Sequence, residues 1–217
     1  MTANVLLARE LELRSRAAKE TLLIGLNSLD TLTGGFPRGA ISEIFGPESS
    51  GRATLAQSLL AAATAHREIC AYVDTCDSFD PISADSSGVV LPQLAWIRCN
   101  GNAEHAFQVT DELLHAGGFG VIALDLCRVA DRHLDRIPLS YWYRFRRAVE
   151  NTPTILAVLG REPLAKPCAS LVLELKQARI EWPGSPAVRL LGEVETSITA
   201  RKPVRSAVAK LQAKAAS

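Results

Sequence analysis

The stretch "FGPESSGRATL", residues 45–55, has the spacing of a phosphate-binding loop that joins a strand to a helix. Such loops have the form G-x-x-x-x-G-K-[ST], in which the glycines let backbone N–H groups converge on phosphate oxygens. Gly46 and Gly51 fit this form. Arg52 stands at the position of the lysine, and Ala53 stands at the position of the magnesium-binding hydroxyl. By composition, an anion-binding loop and a tight turn without a ligand are both open interpretations.

The two departures from the form have different chemical consequences. Arg52 keeps the positive charge, but its guanidinium is larger than an ammonium group and prefers bidentate contacts. Ala53 cannot ligate magnesium, and Thr54 is turned away by about 100° along a helix. The backbone loop and the helix dipole remain, so we predict a degenerate nucleotide site. Its candidate residues in this stretch are Gly46, Glu48, Ser49, Ser50, Gly51, Arg52, Ala53 and Thr54.

Short apolar segments alternate with helical segments along the chain. Strands are predicted at 40–45, 69–74, 94–99, 119–125 and 153–160. Helices are predicted at 53–68, 102–118 and 138–151. This alternation is typical of an α/β fold with a mostly parallel central sheet flanked by helices. Three later strands, at 169–175, 178–182 and 187–194, have no helices between them, which predicts a mixed C-terminal edge.

Three regions follow from this pattern. Residues 1–20 are predicted to form an amphipathic N-terminal helix, residues 21–195 the core domain, and residues 196–217 a basic tail. From Arg201 onward the tail has five basic residues and no acidic ones, which indicates a short basic helix or a disordered segment. A solvated end, a DNA contact and a docking segment are all consistent with that composition.

Composition excludes several classes of protein. The 217 residues carry a net charge of +1, so overall charge favours no partner. The five cysteines show no Cys-x-x-Cys pair and the four histidines no metal spacing, so we predict neither a disulfide framework nor a metal site. The N-terminus lacks the apolar segment of a signal peptide, and no membrane span is expected. The chain is predicted to be cytoplasmic.

Three segments together carry a family resemblance. "GGFPRGAISEIFGPESSGRATL" (34–55), "AYVDTCDSFDP" (71–81) and "FGVIALD" (119–125) resemble the RecA recombinase family in order and spacing, over residues 21 to 130. A phosphate loop alone is a weak signal, but the loop followed by both acidic strand ends is a strong one. The resemblance implies a RecA-type P-loop core.

The resemblance also implies which residues would perform ATP hydrolysis. The family's magnesium-binding hydroxyl, water-activating glutamate and adenine-stacking tyrosine fall on Ala53, Cys76 and Ser83. Only Asp80, matching an adenine-contacting acid, and Asp125, matching the acid that assists the metal, remain. Loss of a general base costs about 10²–10⁴-fold in rate. We therefore predict no catalytic residue and no certain cofactor, and ATP binding without hydrolysis stays open.

The family binds DNA through two loops, and both are short here. The second, "REPLAKPC" (161–168), replaces a long glycine-rich loop, so strand exchange is not expected. The helix at 138–151 has a basic face, and its pattern favours a core helix with a solvated face over a nucleic-acid patch. The candidate DNA-binding residues are Arg128, Arg132, Arg136, Arg144 and Arg147.

A shortened RecA-like chain with a degraded nucleotide site is also similar to ImuA proteins. These are accessory factors that work beside an inactive Y-family polymerase-like partner in damage-induced translesion synthesis. The resemblance implies a non-hydrolysing accessory protein of DNA repair and the SOS response, with RecA, a Y-family polymerase-like protein or both as partners. It also leaves open self-association through the N-terminal helix. The alternatives are an ATP-dependent recombinase or slow DNA-dependent ATPase, and a bare DNA-binding module.

Overall fold

A computed structural model describes residues 20–181, 184–185, 188–189 and 193–214. The predicted N-terminal helix lies outside the described residues, apart from Glu20. None of the described helices is long and apolar enough to cross a membrane.

The helices and strands alternate through most of the described chain. The six helices in this part of the chain are α1 (Asn27–Thr33), α2 (Arg52–Ala65), α3 (Pro81–Ser86), α4 (Ala103–Ala116), α5 (Asp131–Leu134) and α6 (Leu139–Val149). The strands up to the last helix crossover are β1 (Thr21–Leu22), β2 (Phe36–Pro37), β3 (Ala40–Phe45), β4 (Ile69–Asp74), β5 (Leu94–Arg98), β6 (Phe119–Asp125) and β7 (Ile155–Gly160). The remaining strands are β8 (Ala169–Glu181), β9 (Gly184–Ser185), β10 (Val188–Arg189), β11 (Glu193–Lys202) and β12 (Val204–Lys214).

Eight strands form the central sheet in the order β12-β11-β8-β3-β7-β6-β4-β5. From β8 to β5 all neighbouring strands are parallel. β11 pairs antiparallel with both β8 and β12. The predicted α/β architecture with a mixed C-terminal edge is confirmed. Parallel strands place their carboxyl ends at one edge of the sheet, and that edge carries the loop of residues 46–51.

Both faces are covered at the centre of the sheet, which is why β4, β6 and β7 are continuous apolar runs. Leu55, Leu59 and Ala63 of α2 pack in one buried cluster. Phe107 of α4 and Phe145 of α6 pack in the other, with ring centroids 5.6 Å apart. The predicted helices at 53–68, 102–118 and 138–151 are confirmed, each slightly shorter than expected.

Two predictions about the C-terminal third are wrong. The strands expected at 169–175 and 178–182 are one strand, β8, because no turn residue separates them and the interruption is a register shift against β11. The tail from Arg201 is neither helical nor disordered up to Lys214, because residues 204–214 pair with β11 as an edge strand. The sheet therefore continues across the predicted boundary at residues 195 and 196.

Gly46 permits a close approach between the phosphate-type loop and β8. A Cβ at this position would lie 2.2 Å from the Leu175 carbonyl oxygen and 2.9 Å from Ser50 Oγ. Since the nearer atom belongs to the backbone of a central strand, rotamer change cannot relieve the clash. The glycine is required by packing as well as by any ligand.

We expect Gly46→Ala to lower the free energy of unfolding by about 2 kcal/mol, the usual cost of overpacking. Urea denaturation followed by circular dichroism measures the change. Gly25→Ala is the comparison variant: its position has open space around it and a left-handed φ of 78°, so its loss gives the cost of backbone strain without a clash. Equal losses in the two variants would contradict the packing argument.

Candidate nucleotide site

The loop of residues 46–51 leads directly into α2. Gly51 at its N-cap has a left-handed φ of 88°. Within the described chain no side chain caps the first turn of α2, and that turn carries no acidic residue. The first N–H groups of a helix lack intrahelical acceptors and favour anions. The backbone therefore keeps the elements of an anion-binding loop.

A cavity of about 620 Å³ opens beside this loop. Of the residues predicted for the nucleotide site, eight line it: Glu48, Ser49, Ser50, Gly51, Arg52, Ala53, Thr54 and Asp125. Arg128, predicted as a DNA contact, also lines it. Gly46 and Asp80 do not belong to its lining. The structure thus brings the loop and the acid of β6 to one cavity, as the motif spacing predicts.

Asp80 serves as the N-cap of α3. Its carboxylate accepts hydrogen bonds from the backbone N–H of Ile82 at 3.1 Å, and from the N–H and hydroxyl of Ser83. The Ser83 hydroxyl and then the Ile82 N–H lower the pKa of Asp80. Capping α3 is therefore a sufficient structural reason for an aspartate at position 80, independent of any contact with adenine.

Arg52 turns its guanidinium inward. The residue is 8% exposed, and Nη1 donates to the carbonyl oxygen of Gly160 at 2.6 Å. Gly160 is the last residue of β7. The bond joins a full charge to a neutral acceptor and ties the start of α2 to the end of the adjacent strand.

Asp125 at the end of β6 has both carboxylate oxygens engaged by the chain itself. Oδ2 accepts from the Tyr72 hydroxyl at 2.8 Å and from Ser78 Oγ at 2.7 Å, and Oδ1 accepts from the Cys127 N–H at 2.9 Å. Burial, followed by the charge of Asp125, raises the pKa of the Tyr72 phenol well above 10.0. Tyr72 therefore stays protonated and remains a donor to Asp125.

Asp74 lies beside Asp125 because the two are register partners at the ends of β4 and β6. Its Oδ1 accepts from the Ser78 N–H at 2.9 Å, and its Oδ2 accepts from the Phe79 N–H and Trp96 Nε1 at 3.0 Å each. This carboxylate shapes the turn that carries Cys76 and Ser78. Ser78 Oγ also lies 3.3 Å from Asp74 Oδ1, so one hydroxyl bridges the two acids.

Cys76 occupies the position at which the resemblance places the water-activating glutamate. Burial raises the pKa of its thiol above 9.0, and the charges of Asp125 and Asp74 raise it further. At neutral pH the side chain is therefore a thiol, which is a poor proton acceptor. The local electrostatics do not provide a replacement base.

These residues do not fit a magnesium–nucleotide complex. The hydroxyl ligand is replaced by Ala53, and the oxygens of Asp125 are already hydrogen-bonded to three donors. In the described part of the chain no group of three or more His, Cys, Asp or Glu side chains could hold a metal ion. The predicted lack of a metal site stays a prediction, since the family's metal is held partly by nucleotide phosphates.

The five arginines predicted to contact DNA lie in two places. Arg128, Arg132 and Arg136 are exposed on the segment of residues 126–138. Arg144 and Arg147 are exposed on α6, opposite its buried aromatic face. Arg144 is paired with Asp111 of α4 and lies 5.7 Å from the centre of the Tyr141 ring. That pairing favours the solvated-face interpretation of α6.

The short loop of residues 161–168 is attached to the central strand β3 by Glu43. This side chain is 2% exposed, and Oε1 accepts from the N–H groups of Leu164 and Ala165 at 2.6 and 2.5 Å. Burial raises the pKa of Glu43 above 4.5, against the lowering effect of those two N–H groups. The short segment that replaces the family's second DNA loop is therefore held at its centre by a buried carboxylate.

Sequence reasoning missed several residues of the cavity: Tyr72, Ser78, Cys127, Leu159, Arg161 and Thr196. Tyr72 carried only an indirect signal. It shares a face of β4 with Asp74, the register partner of Asp125, but Asp74 does not line the cavity. Thr196 carried no comparable signal, since it reaches the cavity from β11, more than 140 residues after the loop.

Comparison with known proteins gives one consistent family. Residues 10–131 match the model of the RecA N-terminal domain. The chain is 38% identical to Protein RecA of Chloroflexus aurantiacus over 116 residues, 52% of this chain and 33% of the relative. It is 42% identical to Protein RecA of Brucella canis and of Rhizobium rhizogenes over 108 residues, 49% of this chain and 30% of each relative. The match thus spans about a third of the length of these relatives.

Proposed function

The chain belongs to the RecA family, and from this membership we propose that it acts in DNA repair or recombination as an accessory protein that does not hydrolyse ATP. We further propose that it works through protein contacts in SOS-type translesion synthesis. Its partners would be RecA, a Y-family polymerase-like protein, or both. DNA contacts through Arg128, Arg132 and Arg136 would be secondary.

The observation that carries the proposal is the hydrogen bonding of Asp125. A carboxylate that assists a metal needs open lone-pair positions, whereas three of the roughly four positions of Asp125 are taken by donors of the same chain. Ala53 and Cys76 also argue against ATP hydrolysis, because Ala53 lacks the hydroxyl that would bind the metal and Cys76 lacks the carboxylate that would act as general base. Phosphoryl transfer depends on positioning and charge stabilisation by such groups.

We expect no ATP hydrolysis above background, with or without single-stranded DNA, because loss of the base alone costs about 10²–10⁴-fold. Phosphate release measures the rate. The variant R52K/A53T/C76E restores the lysine and hydroxyl of the loop and the glutamate, leaving Ser83 unchanged, and adding Y72F removes one donor from Asp125. Activity is expected to rise most when Y72F is included, because this change opens one lone-pair position on Asp125 Oδ2.

The matched control for this variant is R52K/A53T/C76Q with Y72F, which has the same side-chain sizes but lacks the added carboxylate. It is expected to stay inactive. Robust DNA-stimulated hydrolysis by the unmodified chain would contradict the proposal and favour the alternative of an ATP-dependent recombinase. The specific observation behind that alternative is the retained cavity between the loop and Asp125.

The proposed partners call for a separate measurement. The full chain is used as bait after DNA damage, and RecA and a Y-family polymerase-like protein are sought by name among the bound proteins. Recovery of neither, from cells in which both are expressed, would contradict the accessory role.

DNA binding is tested by substitution rather than truncation, because residues 204–214 form a strand of the sheet. Arg132→Gln with Arg136→Gln, measured across a salt titration, reports any phosphate contacts of this segment.

A further inference from the structure

We infer that the cavity beside the loop of residues 46–51 binds the phosphate chain of its ligand without a divalent cation. The inference rests on the proposed function, since it concerns the same site and assumes that the site does not turn ATP over. The ligand class is a chain of linked phosphates, shared by nucleoside triphosphates and inorganic triphosphate. Protein cations and N–H groups supply the charge that magnesium supplies elsewhere.

The first support is an unsatisfied donor at the loop. Ser50 is fully buried and lines the cavity, and its hydroxyl has no hydrogen-bond partner among the described residues. A buried hydroxyl without a protein partner is costly, and a water, ion or ligand usually satisfies such a group. The uncapped first turn of α2 adds backbone N–H groups at the same place.

The second support is the set of cations around the cavity. Arg52, Arg128 and Arg161 line it, against the acids Glu48 and Asp125. Neutral donors hydrogen-bond Asp125 but leave its charge in place. The lining therefore has three guanidinium groups against two carboxylates, an excess of positive charge suited to a polyanion.

Two of these guanidinium groups have contacts that a phosphate could replace. Arg52 donates to the neutral carbonyl of Gly160 at 2.6 Å, and a phosphate oxygen is a stronger acceptor than a carbonyl. Arg161 Nη2 donates to Asp131 at 2.7 Å and to the Val129 carbonyl at 3.2 Å, and the side chain of Asp131 is 80% exposed. Exposed pairs of this kind contribute little and exchange readily.

The third support is the poor fit to a metal. A magnesium–triphosphate complex is less negative than the free triphosphate and needs oxygen ligands that Ala53 cannot supply. A site built from guanidinium groups should therefore bind the free anion at least as well as the magnesium complex.

Isothermal titration of the full chain with ATP, in excess magnesium chloride and in EDTA, tests the inference. We expect the affinity in EDTA to equal or exceed that in magnesium, and inorganic triphosphate in EDTA to bind within about tenfold of ATP. Ser50→Ala should weaken binding about fivefold by removing one hydrogen bond. Ser58→Ala is the matched control on α2, because Ser58 does not line the cavity and bonds the carbonyl of Thr54.

Four outcomes would overturn the inference. They are binding that requires magnesium, binding of neither ligand in either buffer, ATP binding without measurable triphosphate binding, and equal losses in Ser50→Ala and Ser58→Ala. None of these touches the proposed lack of hydrolysis, which the phosphate-release assay decides separately. Conversely, hydrolysis would overturn the proposed function whatever the titration gives.

Discussion

Replacing Asp74 by alanine is expected to lower the free energy of unfolding by about 4 kcal/mol, because hydrogen bonds to a charged group are each worth roughly 1.5–3 kcal/mol. Asp74 is fully buried and accepts from the N–H groups of Ser78 and Phe79 and from Trp96 Nε1. Alanine leaves these three donors without an acceptor. A loss of this size is a large fraction of the stability of an ordinary domain.

Asp74→Ala should also disturb the residues beside the cavity. The turn that Asp74 holds places Ser78 against Asp125 and packs Phe79 between the rings of Tyr72 and Trp96, at centroid distances of 4.5 and 5.5 Å. We therefore expect Asp74→Ala to lose the near-ultraviolet circular dichroism of this aromatic group before the secondary structure unfolds.

A graded series of variants separates this mechanism from a general loss of charge. Asp74→Asn keeps one acceptor oxygen and should give an intermediate loss in chemical denaturation. Asp85→Ala, on the exposed face of α3, should change the free energy of unfolding by less than about 0.5 kcal/mol. If Asp74→Ala and Asp85→Ala were equally stable, the hydrogen bonds at Asp74 would not be what stabilises this turn.

Local sequence pattern was sufficient for the parallel part of the fold. The apolar runs of β4, β6 and β7 are each buried on both faces, so the sequence alone identifies them as strands. The phosphate-type loop could be placed for the same reason, since its strand, glycines and helix are consecutive in the chain. The same consecutive order places this loop beside the cavity.

The parts that sequence did not predict depend on partners that are distant in the chain. Residues 204–214 have a basic composition that resembles a tail, and only pairing with β11 makes them a strand. Likewise nothing near Arg52 indicates that its guanidinium would bond Gly160, 108 residues away. Composition identifies which side chains carry charge, but their acceptors are chosen by tertiary packing.

Replacing Glu43 by methionine is expected to lower the free energy of unfolding by about 3 kcal/mol, because two buried N–H groups lose their acceptor at roughly 1–3 kcal/mol each. Those groups are the amides of Leu164 and Ala165. Glu43→Gln has a carbonyl oxygen in place of Oε1 and should keep both bonds. Urea denaturation at pH 4.5, where the raised pKa keeps the folded carboxyl group largely protonated, should therefore place Glu43→Gln near the unmodified chain and Glu43→Met well below it.

The difference in the free energy of unfolding between the unmodified chain and Glu43→Gln should depend on pH, and the sign of that dependence follows from the pKa of Glu43. Burial raises the pKa of Glu43 above 4.5, so between that value and its folded pKa the folded chain holds a proton that the unfolded chain has released. The stability contributed by this proton is fully present below pH 4.5 and is lost as the pH rises through the folded pKa. The unmodified chain should therefore lose stability relative to Glu43→Gln between pH 4.5 and neutrality. A difference that stays constant, or grows in favour of the unmodified chain, would show that burial does not control this carboxyl group.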